Sequence, residues 1–241
     1  MKKKISSIII AVILCLVGSG YLLPRVHSQT AVPKLFITWK AATYAPRDFS
    51  GKILPAANSQ ITASVELIDN GKPADLSNPN PKLKQTIYWY LNDNFLQGGA
   101  GLQRVTFRAP DAAGGTLDLR AEVPNYKRGI IPEPPLKTIT IPIAAPEVVI
   151  EAPFPGGLFS SPTAMLAGLP YFFNVKDASQ LNFFWTVNGQ APTGAENPQT
   201  LTIKVGSGAP AGSTVSVSLT VRSGNNILGA ATANTTLTYN P

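Results

Sequence analysis

Cysteine and histidine are almost missing from this sequence. Cys15 and His27 are the only residues of either type among 241. Both lie within the first 28 residues, so the remainder of the chain can form no disulfide bond, thiolate nucleophile or zinc cluster of Cys and His ligands. A Ser-His-Asp or Cys-His arrangement is excluded there for the same reason. We therefore expect no cofactor and no enzymatic activity.

Charged residues are also scarce. They make up 14% of the chain, against about a quarter in an average globular protein. Among the 13 carboxylates, Asp93 and Asp111 lie in turn-like segments where oxygen ligands for a hard cation could gather. No Asp-x-Asp-x-Asp spacing occurs, so we interpret them as solvated turn residues and expect no metal. A carboxylate pair drawn from separate loops is the one remaining route to hydrolysis.

The net charge of +7 alone would suggest a polyanion partner, but the positions of the charges do not support one. Lys2, Lys3, Lys4 and Arg25 carry four of the positive charges and belong to the N-terminal segment. The rest of the chain shows no run of Lys and Arg interleaved with aromatic residues, which is the pattern of a nucleic-acid groove. Nucleic acid is therefore not an expected partner.

Residues 1–28 have the pattern of a signal peptide or an N-terminal membrane anchor. Three lysines precede an apolar run at residues 5–23, which Pro24 closes. As one helix of about 19 residues, this run nearly matches a hydrocarbon core of about 30 Å. Cleavage after Ser28 is the competing interpretation, because Val26 and Ser28 suit a signal peptidase. In both cases the chain from residue 29 is exported, either anchored outside the cytoplasm or secreted.

The rest of the sequence has the turns and alternation of a β protein. It is rich in glycine and proline, and residues such as Gln60 to Ile68 alternate apolar and polar side chains, which is the period of a half-buried strand. A polar stretch at residues 69–84 predicts a long loop. Two glycine-rich stretches at residues 97–103 and 155–162 lack the features of phosphate loops and are predicted to be plain loops.

Two segments repeat one another. "IYWYLNDN" begins at residue 87 and "FFWTVNGQ" at residue 183, which places Trp89 and Asn92 96 residues before Trp185 and Asn188. Later positions match at an offset of 98, after a two-residue insertion confined to a turn. Whole-domain duplication tolerates such an insertion. We predict tandem antiparallel β-sandwiches at residues 29–144 and 145–241.

The repeated motif resembles bacterial immunoglobulin (Ig)-like domains, within them the polycystic-kidney-disease (PKD) type, which pair an aromatic-x-Trp strand with a Gly/Asp/Asn turn. An indole on a central strand would fill the space between the sheets. Trp89 and Trp185 are therefore predicted core residues. Asn92 and Asn188 are predicted to adopt the left-handed backbone of tight hairpins.

Loop aromatics are the candidates for a contact surface, since binding residues on sandwiches tend to lie on connections. These are Tyr44, Phe49, Tyr126, Phe154 and Phe159. The predicted function is that of a non-catalytic envelope or cell-surface protein, with Ig-like domains serving as spacers and protein-interaction modules. Carbohydrate-binding adhesion modules are the alternative, with glycans as partners.

Overall fold

The computed structural model describes residues 32–78, 80, 84–127, 130–131, 133–192, 197–224 and 226–241. The predicted N-terminal helix and the signal or anchor at residues 1–28 lie outside these residues. In the part of the chain that is described, no helix has the length and hydropathy that a membrane crossing requires.

The described chain is built from β-strands with two single-turn 3-10 helices at Pro155–Gly157 and Ala178–Gln180. In chain order, the first eight strands are β1 (Lys34–Ala41), β2 (Gln60–Asp69), β3 (Lys72–Pro73), β4 (Thr86–Leu91), β5 (Asn94–Ala100), β6 (Arg104–Arg108), β7 (Thr116–Glu122) and β8 (Leu136–Pro142). The remaining strands are β9 (Glu147–Glu151), β10 (Leu158–Phe159), β11 (Thr163–Tyr171), β12 (Leu181–Val187), β13 (Thr200–Lys204), β14 (Ser213–Ser223) and β15 (Asn226–Tyr239). The prediction of an all-β fold is confirmed.

Two pairs of sheets face each other across separate hydrophobic cores. In the first sandwich, β1, β2 and β6 form one sheet, to which the short β3 adds, and β5-β4-β7-β8 form the other. In the second sandwich the sheets are β13-β11-β9 and β10-β15-β14-β12. The strands pair antiparallel except for β10 with β15. This arrangement is that of an Ig-like β-sandwich.

The two sandwiches repeat the same contacts at matching positions. The Trp89 indole N–H donates to the Leu102 carbonyl at 2.9 Å, and the Trp185 indole N–H donates to the Pro198 carbonyl at 3.0 Å. Both acceptors stand 13 residues after their donors. Pro33 to Pro241 nevertheless form a single compact unit. The division into domains at residues 29–144 and 145–241 therefore stays a prediction.

One glycine-rich segment is a strand where a loop was predicted. Residues 97–100 belong to β5, which pairs with β4 along its length. Gly98 lies opposite Tyr88, and a Cβ atom at Gly98 would stand 2.3 Å from the Tyr88 ring. The ring therefore covers the strand where glycine leaves room, and this cross-strand packing offsets the low strand propensity of glycine. The second predicted loop also contains structure, since residues 155–159 form a 3-10 turn and β10.

Candidate functional site

The outward side of the repeated tryptophan strand carries an exposed aromatic cluster in the first sandwich. Trp89 is fully buried, so its neighbours Tyr88 and Tyr90 point away from the core by the alternation of a strand. Opposite them on β7 lie Glu122 and Arg120. With Phe95 from β5, these five residues form what we call the aromatic face.

Phe95, on the edge strand β5, is the most exposed residue of the aromatic face. The residue is 61% exposed, and its ring meets the rings of both tyrosines edge-on, with centroids 6.2 Å from Tyr88 and 5.9 Å from Tyr90. Edge-to-face pairs of this kind stabilise one another by about 0.5–1.5 kcal/mol beyond area burial. The two tyrosine rings therefore hold the large apolar side chain of Phe95 in a position exposed to solvent.

Charged groups fix the polar edge of the aromatic face. The Arg120 guanidinium lies 4.1 Å from the centre of the Tyr90 ring, and the Tyr90 hydroxyl donates to Glu122 Oε1 at 2.9 Å. This hydrogen bond raises the pKa of Tyr90, so the phenol stays protonated well above neutral pH. Arg120 also contacts Glu122 at 3.7 Å and Asp93 at 3.9 Å. Its buried Nε has no hydrogen-bond partner among the described residues.

The second sandwich does not reproduce this cluster. Strand pairing places Phe184 where Tyr88 stands, but it places Thr186 where Tyr90 stands. The residues opposite them are Thr220 and Ser218 in place of Glu122 and Arg120. The buried tryptophans are shared and the outward side chains are not. The aromatic face is therefore not a requirement of the fold.

The structure places the four predicted structural residues as follows. Trp89 is 0% exposed and Trp185 is 5% exposed, each within the core of its own sandwich. Asn92 and Asn188 both have φ of +48°. Each asparagine also binds the neighbouring strand: Asn92 Oδ1 accepts from the Asp118 N–H, and Asn188 Oδ1 accepts from the Ser216 N–H. The asparagines thus close the hairpin turn and tie it to the sheet.

Tyr44 and Phe49 both contact the second sandwich. The Tyr44 backbone exchanges hydrogen bonds with Phe172 and Phe173, each at 2.8 Å. The Phe49 ring packs edge-on against Tyr171 at 5.4 Å and against Phe172 at 5.9 Å. These loop aromatics are therefore engaged within the protein, where they join the two halves of the compact unit.

The other predicted contact residues lie at two further places. Phe154 and Phe159 pack against each other at 5.6 Å beside the second core. Phe159 is only 3% exposed, so its assignment to a surface is corrected: its ring is core packing, covered also by Tyr239 at 5.5 Å. Tyr126 packs on the first core and donates from its hydroxyl to Asp69 at 2.6 Å. The five loop aromatics do not form one surface.

Replacing Tyr126 with phenylalanine is expected to reduce the loss of stability at alkaline pH. Burial, together with the bond to Asp69, raises the pKa of Tyr126 to about 12. An unfolded tyrosine titrates near pH 10, so this contribution is complete below about pH 10 and is lost as the pH rises towards 12. Urea unfolding of Tyr126→Phe and wild type at pH 7, 10 and 11 measures the difference. Identical alkaline slopes for the two proteins would contradict the assignment.

Sequence reasoning missed the aromatic face for a definable reason. If the Trp89 side chain points into the core, the alternation of a strand requires those of Tyr88 and Tyr90 to point outward. The sequence predicts a turn followed by a loop around Phe95, so its place on a strand is not apparent from the sequence. Arg120 and Glu122 become neighbours of the tyrosines only through the pairing of β4 with β7.

Comparisons with known proteins add structural likenesses at low identity. No protein-family model matches the chain, and no curated protein sequence matches it. Fibronectin(III)-like modules of CbhA from Clostridium thermocellum match at 13% identity over 85% of this chain and 94% of theirs, with a TM-score of 0.26. A C-terminal fragment of intimin, solved with the intimin-binding domain of its translocated receptor, matches at 15% identity over 85% of this chain and 64% of its own (TM-score 0.27).

A third likeness is to SGBP-B of a Bacteroides ovatus mixed-linkage glucan utilization locus, solved with a mixed-linkage heptasaccharide. It has 14% identity, covers 88% of this chain and 48% of that chain, and has a TM-score of 0.22. TM-scores of this size do not establish a shared fold. The fold is defined by the strand pairing within the two sandwiches.

Proposed function

We propose that this chain is a non-catalytic exported protein of the cell envelope or surface, and that its aromatic face binds a protein partner. Residues 5–23 hold it in the membrane, or cleavage near Ser28 releases it. The two sandwiches act as spacers that present the face. Within Ig-like sandwiches, the aromatic-Trp strand and its asparagine turn support the PKD type.

The observation that carries this proposal is the exposed Phe95 on its support of tyrosines. Protein-binding hot spots are enriched in Tyr, Trp and Arg, and they centre on apolar side chains ringed by polar groups. Phe95 provides such an apolar side chain, and Arg120 and Glu122 provide charged groups on β7, across the two tyrosines from it. Because the charged groups are held by contacts within the face, little side-chain entropy is lost when a partner binds.

The arrangement of the rings favours a protein over a glycan. Stacking on sugars requires an open ring face, whereas the Tyr88 ring lies against Gly98 and Arg120 lies over the Tyr90 ring. Only Phe95 is largely open to solvent. One exposed phenylalanine, with charges beyond the tyrosines on the far side of β4, fits an apolar pocket on a protein partner.

The test is photo-crosslinking from the aromatic face in the cells that make the protein. A benzophenone amino acid is placed at position 95 of the full chain and, as a matched control, at position 184, where Phe184 is 51% exposed on the second sandwich. We expect a protein adduct of discrete mass from position 95 only. Equal adducts from both positions, or none from position 95, would reject the proposal.

Affinity for the crosslinked partner then measures the contribution of the face. Phe95→Ala is expected to weaken binding about thirtyfold, since a hot-spot truncation costs about 2 kcal/mol or more. Phe184→Ala serves as the matched control and is expected to leave the affinity unchanged. If a glycan array shows sugar binding that Phe95→Ala abolishes, the face belongs to the carbohydrate-binding alternative.

A further inference from the structure

The other sheet of the first sandwich carries a basic groove on its outward side. The groove has a volume of about 560 Å³ and runs over β1, β2 and β6. Lys40, Lys52 and Arg104 line it, and its described lining contains no acidic residue. We call this the basic groove. Its three cations are brought together by strand pairing and a loop, although Lys40 and Arg104 stand far apart in the sequence.

Two of the cations are already held in place. Lys52 Nζ donates to the Trp39 carbonyl at 2.7 Å and lies 4.2 Å from the centre of the Trp39 ring. Arg104 Nε donates to Ser64 Oγ at 3.3 Å. Its terminal guanidinium nitrogens have no hydrogen-bond partner among the described residues, so they can form a paired hydrogen bond with a carboxylate or sulfate. The groove therefore presents fixed positive charge to a ligand.

Hydroxyl groups lie between the cations. Thr38, Thr62 and Ser64 line the groove on neighbouring strands, where Thr38 pairs with Ser64 in the sheet register. Hydroxyls both donate and accept hydrogen bonds, so they match the hydroxyl groups of a sugar. The combination of fixed cations and hydroxyls selects a ligand that carries both acid groups and alcohols.

The groove continues along the sheet. A smaller concavity of about 420 Å³ shares Ser64 and Arg104 with it and extends past Gly101 and Gln103. A single small anion would occupy only one of the two concavities, whereas a chain of repeating units can occupy both. The extended shape therefore favours a polymer.

The second sandwich again provides an internal comparison. In the matching sheet register, Thr200 stands where Arg104 stands, and Glu151 stands where Thr38 stands. Met165, which is 64% exposed, occupies the place of Thr62. The same scaffold thus tolerates an acidic and apolar surface at these positions. The basic groove is not a requirement of folding.

We propose that the basic groove binds an acidic polysaccharide, a chain of sugars with carboxylate or sulfate groups. Nucleic-acid sites combine cations with several rings on which bases stack. Here Trp39 is the one aromatic lining residue in the described part of the groove, and Lys52 covers it. This inference does not depend on the proposed protein partner, because the two sites lie on different sheets of the first sandwich.

The test measures binding of the purified full chain to polygalacturonate, dextran sulfate and neutral dextran by calorimetry. We expect the wild type to bind at least one of the acidic polymers, more weakly as salt is added, and not to bind neutral dextran. Lys40→Ala/Arg104→Ala is expected to weaken that binding at least about tenfold, the effect of losing charged hydrogen bonds. Thermal unfolding confirms that this variant is folded.

The matched control is Lys204→Ala, which removes a positive charge from the outward side of β13 in the second sandwich. It is expected to leave binding unchanged. The proposal is overturned if neither acidic polymer binds, if the groove variant binds as tightly as wild type, or if Lys204→Ala weakens binding equally. It is also overturned if single-stranded DNA or phosphatidylserine vesicles bind more tightly than both acidic polymers.

Discussion

Trp89→Ala is expected to lower the free energy of unfolding by about 3 to 5 kcal/mol, the range for truncating a buried aromatic residue. Trp89 is 0% exposed within a core to which both sheets of the first sandwich contribute. Removing the indole leaves a cavity between the sheets that closes only in part, because the surrounding core side chains hold the two sheets apart. It also removes the indole N–H, which donates a hydrogen bond to the Leu102 carbonyl at 2.9 Å.

Denaturant unfolding monitored by near-ultraviolet circular dichroism measures this loss. Trp89→Phe is the matched variant: it keeps a ring in the core and loses the indole N–H, so a smaller loss than for alanine is expected. Trp185→Ala is expected to behave like Trp89→Ala, because its indole makes the corresponding bond to Pro198. A loss below about 1 kcal/mol for Trp89→Ala would contradict the core role of the motif.

The core and its turns could be predicted from the sequence because they depend on local pattern. Alternation about Trp89 and Trp185 indicates which side of each strand is buried. Asn92 and Asn188 follow at the same spacing, and both adopt positive φ as a tight hairpin requires. These features need no knowledge of which strands are neighbours in a sheet.

The outward surfaces could not be predicted in the same way, since they depend on strand register. Arg104 reaches the basic groove only because β6 pairs with β2, which places it opposite Ser64. Phe95 reaches the aromatic face only because β5 pairs with β4, in a segment whose glycines suggest a loop. Cross-strand neighbours of this kind are set by tertiary structure and override local propensity.

At two matching positions, the differences between the two cores compensate one another in volume. Val65 and Gly168 occupy matching places, since their backbone N–H groups donate to Gln103 and Gln199. Ala121 and Leu219 also occupy matching places, since they pair with Trp89 and Trp185. The first core thus combines valine with alanine, and the second combines glycine with leucine. In the second core, the Leu219 side chain lies over Gly168 beside Trp185.

Gly168→Val is therefore expected to destabilise the protein by about 1 to 3 kcal/mol, as overpacked cores do, although valine favours strands more than glycine does. A Cβ atom at Gly168 would stand 2.5 Å from Leu219 Cδ2 and 3.4 Å from Trp185 Cζ2.

Leu219→Ala alone is expected to cost about 2 to 5 kcal/mol through the cavity it leaves. The double variant restores the combination of the first core, so we expect it to unfold within about 1.5 kcal/mol of wild type. Denaturant unfolding of all four proteins completes this double-mutant cycle. If the double variant loses as much stability as the two single changes added together, the two positions do not share one space.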